Sequence, residues 1–205
     1  MPNLNIKVTG LDKIAKQLER NRVQAENVIT RTVSDLRSRV PGWVAAEVTA
    51  DYNIKKSDVQ PAKKDKSGKW KKTAGSVRVK GETIATVQIV YEGRPLTPVH
   101  FAMKPKKPPK GTRGKKRKRV PITAEIKRGQ RKELHPDAFL GTNHGGGYIP
   151  FRRTTKRRYP IESIKTVSLP QMVESETVYP NITQRINSEL QKRLDHNLKQ
   201  YFEKI

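Results

Sequence analysis

Lys104 to Arg119 reads KPKKPPKGTRGKKRKR, sixteen residues of which ten are Lys or Arg and none is acidic. The rest is mostly Pro and Gly. Such a run cannot bury itself, because its charges repel one another and it has almost no apolar surface to offer a core. It stays solvated or lies against a polyanion. The stretches on either side alternate apolar and polar residues, as strands do, so the run is a presented loop rather than a tail. Any fold this chain adopts must close around the base of that loop and leave the loop outside.

Charge follows the same division. Of the net +25 carried by 205 residues, residues 53–133 hold 25 basic and 6 acidic groups, net +19. Residues 1–52 hold 8 and 6, and residues 134–205 hold 11 and 7. A basic centre between two nearly neutral, helix-like ends points to nucleic acid or another anionic surface. Solubility and an acidic protein partner are the competing readings. Only 33% of residues are hydrophobic, so the core has to come from the two ends and a few strands. The chain has no Cys, which removes disulfides and thiolate metal sites and fits a reducing compartment. No apolar run approaches the ~20 residues of a membrane span. MPNLNIKVTG lacks the charged-then-apolar pattern of a signal peptide. The expectation is a soluble protein made in the cytoplasm, with no membrane contact.

Periodicity places the elements. Leu4, Ile6 and Val8 alternate as a short strand. Thr9 and Asp12 form a capping-box-like start to a helix whose stripe runs through Leu11, Ile14, Leu18, Val28, Leu36 and Val40. Pro41 should kink or end it, because it lacks an N–H and clashes with the preceding turn. Trp43, Val44, Val48 and Tyr52 extend an apolar pattern, and NIKKSDV turns into a short helix. Val77 and Val79, then Ala85, Val87, Ile89 and Tyr91, alternate around Lys80-Gly81-Glu82 as a hairpin. Val99–Met103 and Val120–Ile126 read as strands flanking the basic loop. Tyr148–Arg152 reads as the last strand, after the Asn143–Gly147 turn. Val178, Ile182, Ile186, Leu190, Leu194, Leu198 and Phe202 step by four along a C-terminal helix starting near Thr177. Each step advances ~400°, so the stripe drifts ~40° per step. The end bearing Leu194, Leu198, Tyr201 and Phe202 therefore meets something other than the start does: the N-terminal helix or another subunit.

The expected class is α+β: a mixed or antiparallel sheet packed against an N-terminal helix and a long C-terminal helix, with long basic loops. One domain spans 1–205, with a strand and helices over 1–52, a basic sheet region over 53–167 and a helical segment over 168–205.

Catalytic and metal chemistry find little support. His100, His135, His144 and His196 lack metal-ligand spacing, GTRGK does not fit a phosphate-binding loop, and no acidic cluster suits a two-metal nuclease. Neither an enzyme nor a cofactor is expected. Trp70 among lysines is either a stacking platform or an anchor for the sheet, and the anchor is favoured. The candidate polyanion contacts are Lys104, Lys106, Lys107, Lys110, Arg113, Lys115, Lys116, Arg117, Lys118 and Arg119. Arg152, Arg153, Arg157 and Arg158 form a second group. With no base-reading signature beside them, they should touch phosphates without regard to sequence, and salt should weaken the contact.

The order of the pieces carries a resemblance. Ala138-Phe139, the tetrapeptide Arg158-Tyr159-Pro160-Ile161 with Ile164, and Leu169-Pro170 leading into the long helix recur in one arrangement. That arrangement resembles the minor tail protein Z, or tail completion, family of long-tailed, lambda-like bacteriophages, over nearly the whole chain. Pro41 and the Lys-rich stretch after Val59 depart from it. The resemblance implies a structural virion protein without cofactor, assembled in the host cytoplasm and placed at the neck-proximal end of the tail. It implies a homo-oligomeric ring, sixfold by analogy, that supports head–tail joining and seats the DNA end. The implied neighbours are a tail terminator or tail tube protein, a head-completion or neck protein, the DNA end and the tape measure protein. Six copies would gather about sixty charges of the basic loop at one constriction. Extended, the loop would reach ~50 Å at ~3.3 Å per residue. A nucleic-acid-binding protein not built into a tail is the alternative.

Overall fold

A computed structural model describes residues 22–61, 66–68, 75–83, 86–109 and 120–202. The expected strand at Asn3–Val8, the helix start at Thr9, and Trp70 lie outside the described residues. The elements are α1 (Arg22–Asp51), α2 (Lys56–Val59), β1 (Gly75–Lys80), β2 (Gln88–Gly93), a 3₁₀ turn (Pro98–His100), β3 (Thr123–Glu125) and β4 (Arg131–Glu133). They continue with β5 (Phe139–Thr142), β6 (Tyr148–Arg153), β7 (Ile161–Ser163), α3 (Leu169–Val173) and α4 (Val178–Phe202). The class is α+β, as expected, but the strands form three small antiparallel sheets, ordered β1-β2, β3-β4 and β5-β6-β7.

Two compact units interleave along the chain. The first takes its described residues from Met1–Val48, Lys56–Gly93 and Leu169–Ile205, and the second from Thr49–Lys55 and Arg94–Ser168.

In the first unit α1 continues through Pro41 instead of ending there. The carbonyl four residues earlier loses its donor, but Val40, Val44, Ala45 and Val48 on both sides are fully buried and hold the helix in register. The α4 stripe is equally deep: Val178, Ile182, Ile186, Leu190 and Leu194 are all at most 4% exposed. Two contacts align the helices. Arg185 of α4 pairs with Glu47, and Asn197 Nδ2 donates to Thr32 Oγ1 at 3.1 Å. Rising residue numbers on one helix meet falling ones on the other, so α1 and α4 run antiparallel. The next residue in the four-step series would be Leu198, but Asn197 is the buried one, at 3% exposed. A three-residue step turns ~300° and takes back ~60° of the drift, more than one four-residue step adds. The polar side chain it brings in is satisfied by Thr32 and by Asp35.

The β1-β2 hairpin pairs Val77 with Tyr91 and Val79 with Ile89, which puts the alternating residues on one face as expected. Gly81, at φ +93, makes its turn possible, since a Cβ there would meet the Thr86 carbonyl oxygen at 2.2 Å. Tyr91 is 4% exposed, and its hydroxyl has no hydrogen-bond partner among the described residues. Burial, with Tyr179 nearby, pushes its ionisation well above the usual phenol range. Folding then favours the neutral phenol, and the unfolded chain ionises first as pH rises past ~10. Stability present below that pH falls above it. Tyr91→Phe is expected to remove this alkaline loss and, by deleting an unpaired buried hydroxyl, to leave stability at neutral pH unchanged or raised by about 1 kcal/mol. Urea midpoints at neutral and alkaline pH check both.

In the second unit the end of α1 is capped from a distance. Arg128 donates its backbone N–H to the Asp51 carbonyl at 2.9 Å and its Nε to the Thr49 carbonyl at 2.7 Å, satisfying two carbonyls that a helix end leaves open. Met103, Ile122 and Ala124 form a small core with Leu134, Ala138 and Leu140 against it. Val99–Met103, expected as a strand, is the 3₁₀ turn and its exit. Pro98 suits the first position of a helical turn. β7 was not expected; it adds Ile161–Ser163 to the edge of β6.

Candidate nucleic-acid interface

By sequence, the second unit holds 22 basic and 5 acidic residues, net +17 of the chain's +25. The second unit thus keeps most of the chain's charge, and the two helical ends come together in the first unit. Lys104 and Thr123 exchange both backbone hydrogen bonds, each 2.8 Å, and close the base of the basic loop as the end of an antiparallel ladder. The ladder then slips by one residue. Glu125 N–H donates to the Phe101 carbonyl at 3.0 Å, leaving Ala102 as an extra residue with φ 48, in the left-handed region. Such a bulge costs strain for a residue with a Cβ and needs outside support. Arg131 supplies it: Nη1 donates to the Ala102 carbonyl at 3.0 Å, and Nη2 reaches Glu125 Oε2 at 3.2 Å. Glu125 Oε1 in turn accepts from Gly129 N–H at 3.0 Å. One arginine–glutamate pair therefore ties the loop base to the β3-β4 turn.

From this base Lys104, Lys106 and Lys107 are exposed. Lys110, Arg113, Lys115, Lys116, Arg117, Lys118 and Arg119 lie outside the described residues.

The second basic group sits at the end of β6 and in the turn after it. Phe139 pairs with Phe151 across the β5-β6 hairpin, with ring centroids 6.1 Å apart and planes at 26°. Phe151 also lies over Gly141, where a Cβ would come within 2.9 Å of the ring. Asn143 Oδ1 holds the hairpin tip by accepting from Gly145 and Gly147 N–H. Neighbouring residues on a strand face opposite ways, and the arginines of β6 part accordingly. Arg152 pairs with Glu162 at 3.3 Å and borders a groove of about 600 Å³ shared with His135 and Lys165. Arg153 lies over the Phe139 ring, 5.6 Å from its centroid, and borders a separate groove of about 750 Å³ with Asp137 and Lys156. Arg157 and Arg158 are exposed in the turn, where Arg158 covers the Tyr159 ring at 5.6 Å.

The four residues expected at a subunit interface separate as well. Leu194 is 1% exposed inside its own unit and has no surface to give a neighbour. Leu198 is half-buried and Tyr201 is 37% exposed. The Phe202 side chain lies outside the described residues.

Sequence reasoning missed the Arg131–Glu125 tie and the Phe139–Phe151 stack. The stack had a signal: residues 139 and 151 are equidistant from Gly145, the centre of the expected turn. The tie had none, since a bulge is not written in periodicity. Among the described residues no group of His, Asp and Glu is placed to hold a metal, and no helix is long and apolar enough to cross a membrane.

No curated protein and no solved structure matches the chain. The family model described as prophage minor tail protein Z (GPZ) matches residues 3–204. The order of motifs seen in the sequence and this match over nearly the whole length agree: the chain belongs to the prophage minor tail protein Z family, whose members are structural proteins of the phage tail.

Proposed function

We propose that this chain forms a ring at the head-proximal end of the tail, supports head–tail joining, and holds the DNA end through its basic second unit. The observation that carries this reading is the closed base of the Lys104–Arg119 loop. Lys104 and Thr123 on its two sides are paired by backbone bonds and Arg131 braces Ala102, so the charged run starts and ends at one fixed point of the fold, as a repeated lumen contact requires. Identical loops around a ring add their potentials at one constriction without reading sequence. The proposed neighbours are the tail tube or terminator protein, the neck protein and the tape measure protein. Imaging of tail ends with this protein located along the axis tests the placement, and finding it elsewhere on the virion overturns it.

Self-association is proposed to use the exposed end of α4 around Leu198 and Tyr201. Tyr201→Glu puts a charge on that surface without disturbing the buried stripe. It is expected to leave stability, measured by urea unfolding, within about 0.5 kcal/mol of the parent while shifting the oligomer toward monomer. Sedimentation of the variant reads the shift, and an unchanged oligomer sinks the interface assignment.

A further inference from the structure

Resting on the proposed contact with DNA, we propose that the groove beside Phe139 seats unpaired nucleotides of a single strand. Arg153 would stack on a base, and Lys156 would meet the phosphodiester. Arg152 would take no part.

The groove holds about 750 Å³. That lies within the ~300–1,000 Å³ typical of small-ligand sites, room for a nucleotide or two but not for a duplex. Arg153 stands over the Phe139 ring, which is itself backed by Phe151. A guanidinium supported on an aromatic ring offers a planar outer face, and bases stack on such faces whatever their identity. Lys156 adds a second exposed cation on the same groove. Among the described residues lining it, Asp137 is the one acidic residue. A carboxylate there repels an acidic peptide but accepts from the amino group of a base. Cations together with a single acceptor therefore suit a nucleotide better than a run of Asp and Glu. On the other groove, Arg152 is already committed to Glu162.

The test uses the full-length protein and a fluorescent oligonucleotide of mixed sequence, offered single-stranded and as the duplex. Arg153→Ala is expected to weaken single-strand binding about 5- to 100-fold and duplex binding much less. Arg153→Lys, which keeps the charge but not the plane, should recover only part of the loss. Arg152→Ala, which removes the same charge from the other face of β6, should cost clearly less single-strand binding than Arg153→Ala. Urea midpoints of all three variants should match the parent, so that lost binding is not lost folding.

Equal losses in Arg152→Ala and Arg153→Ala overturn the assignment, as does an equal loss for duplex and single strand. Displacement by polyglutamate more readily than by unlabelled oligonucleotide overturns it in favour of an acidic protein partner. If only neutralising Lys115–Arg119 weakens binding, this inference fails while the proposed DNA contact stands. If the parent binds neither form of DNA, both fail.

Discussion

Phe101→Ala is expected to lose about 3–5 kcal/mol of stability and to open the base of the basic loop. Phe101 is fully buried, so truncating it removes apolar contact and leaves a cavity that the neighbouring side chains fill only in part. The same residue accepts the Glu125 N–H across the slipped ladder and precedes the left-handed Ala102. Loosening it should raise the cost of holding that bulge. The loss should appear as a lower urea midpoint, and as faster hydrogen exchange at the amides of Lys104, Thr123 and Glu125 than at those of the α4 stripe. A variant with parental exchange at those three amides would show that the loop base does not depend on the core beneath it.

Neutralising Lys115, Lys116, Arg117, Lys118 and Arg119 should act in the opposite way, with no change in stability and a large change in DNA contact. Each phosphate neutralised on duplex DNA contributes ~0.9 to the slope of log affinity against log salt, so five lost contacts flatten that slope by about 4–5. The variant should still fold and assemble into tails, and its infectious titre should fall. Binding curves from low to physiological salt measure the slope directly. A parental slope would remove these residues from the interface, and a parental titre would falsify their part in seating DNA.

Elements whose signal is local were legible in the sequence. The α4 stripe and the β1-β2 alternation follow from side-chain periods that any window of ten residues displays. The short helix after Asn53 and the turn at Asn143–Gly147 follow from residue chemistry at single positions. Where two influences compete locally, pattern was a weaker guide. Pro41 opposes a helix that buried valines on both sides hold in place, and Pro98 converts an apparently alternating stretch into a helical turn. The parts of the site that depend on distant partners were out of reach. Nothing near Arg131 signals that Ala102 will turn left-handed and need its guanidinium. Nothing near Arg152 and Arg153 signals that one will be neutralised and the other left on an open groove. Their adjacency in sequence suggested one shared role, and the pleat of β6 gives them two surroundings.

The interleaving of the two units bears on how the chain comes into being. Asn197 meets Thr32 across a separation of 165 positions in sequence. At the ~5–20 residues per second of ribosomal synthesis, α1 emerges about 8–33 s before the part of α4 that pairs with it. Throughout that interval the valines around Pro41 have no α4 to cover them, and for its last ~1.5–6 s, once Ser168 has been made, the second unit has all of its residues and can fold first. Newly made chains should therefore pass through a stage with a finished basic unit and an uncovered apolar helix. At that stage a chaperone is most useful, and premature pairing of neighbouring chains is the main hazard.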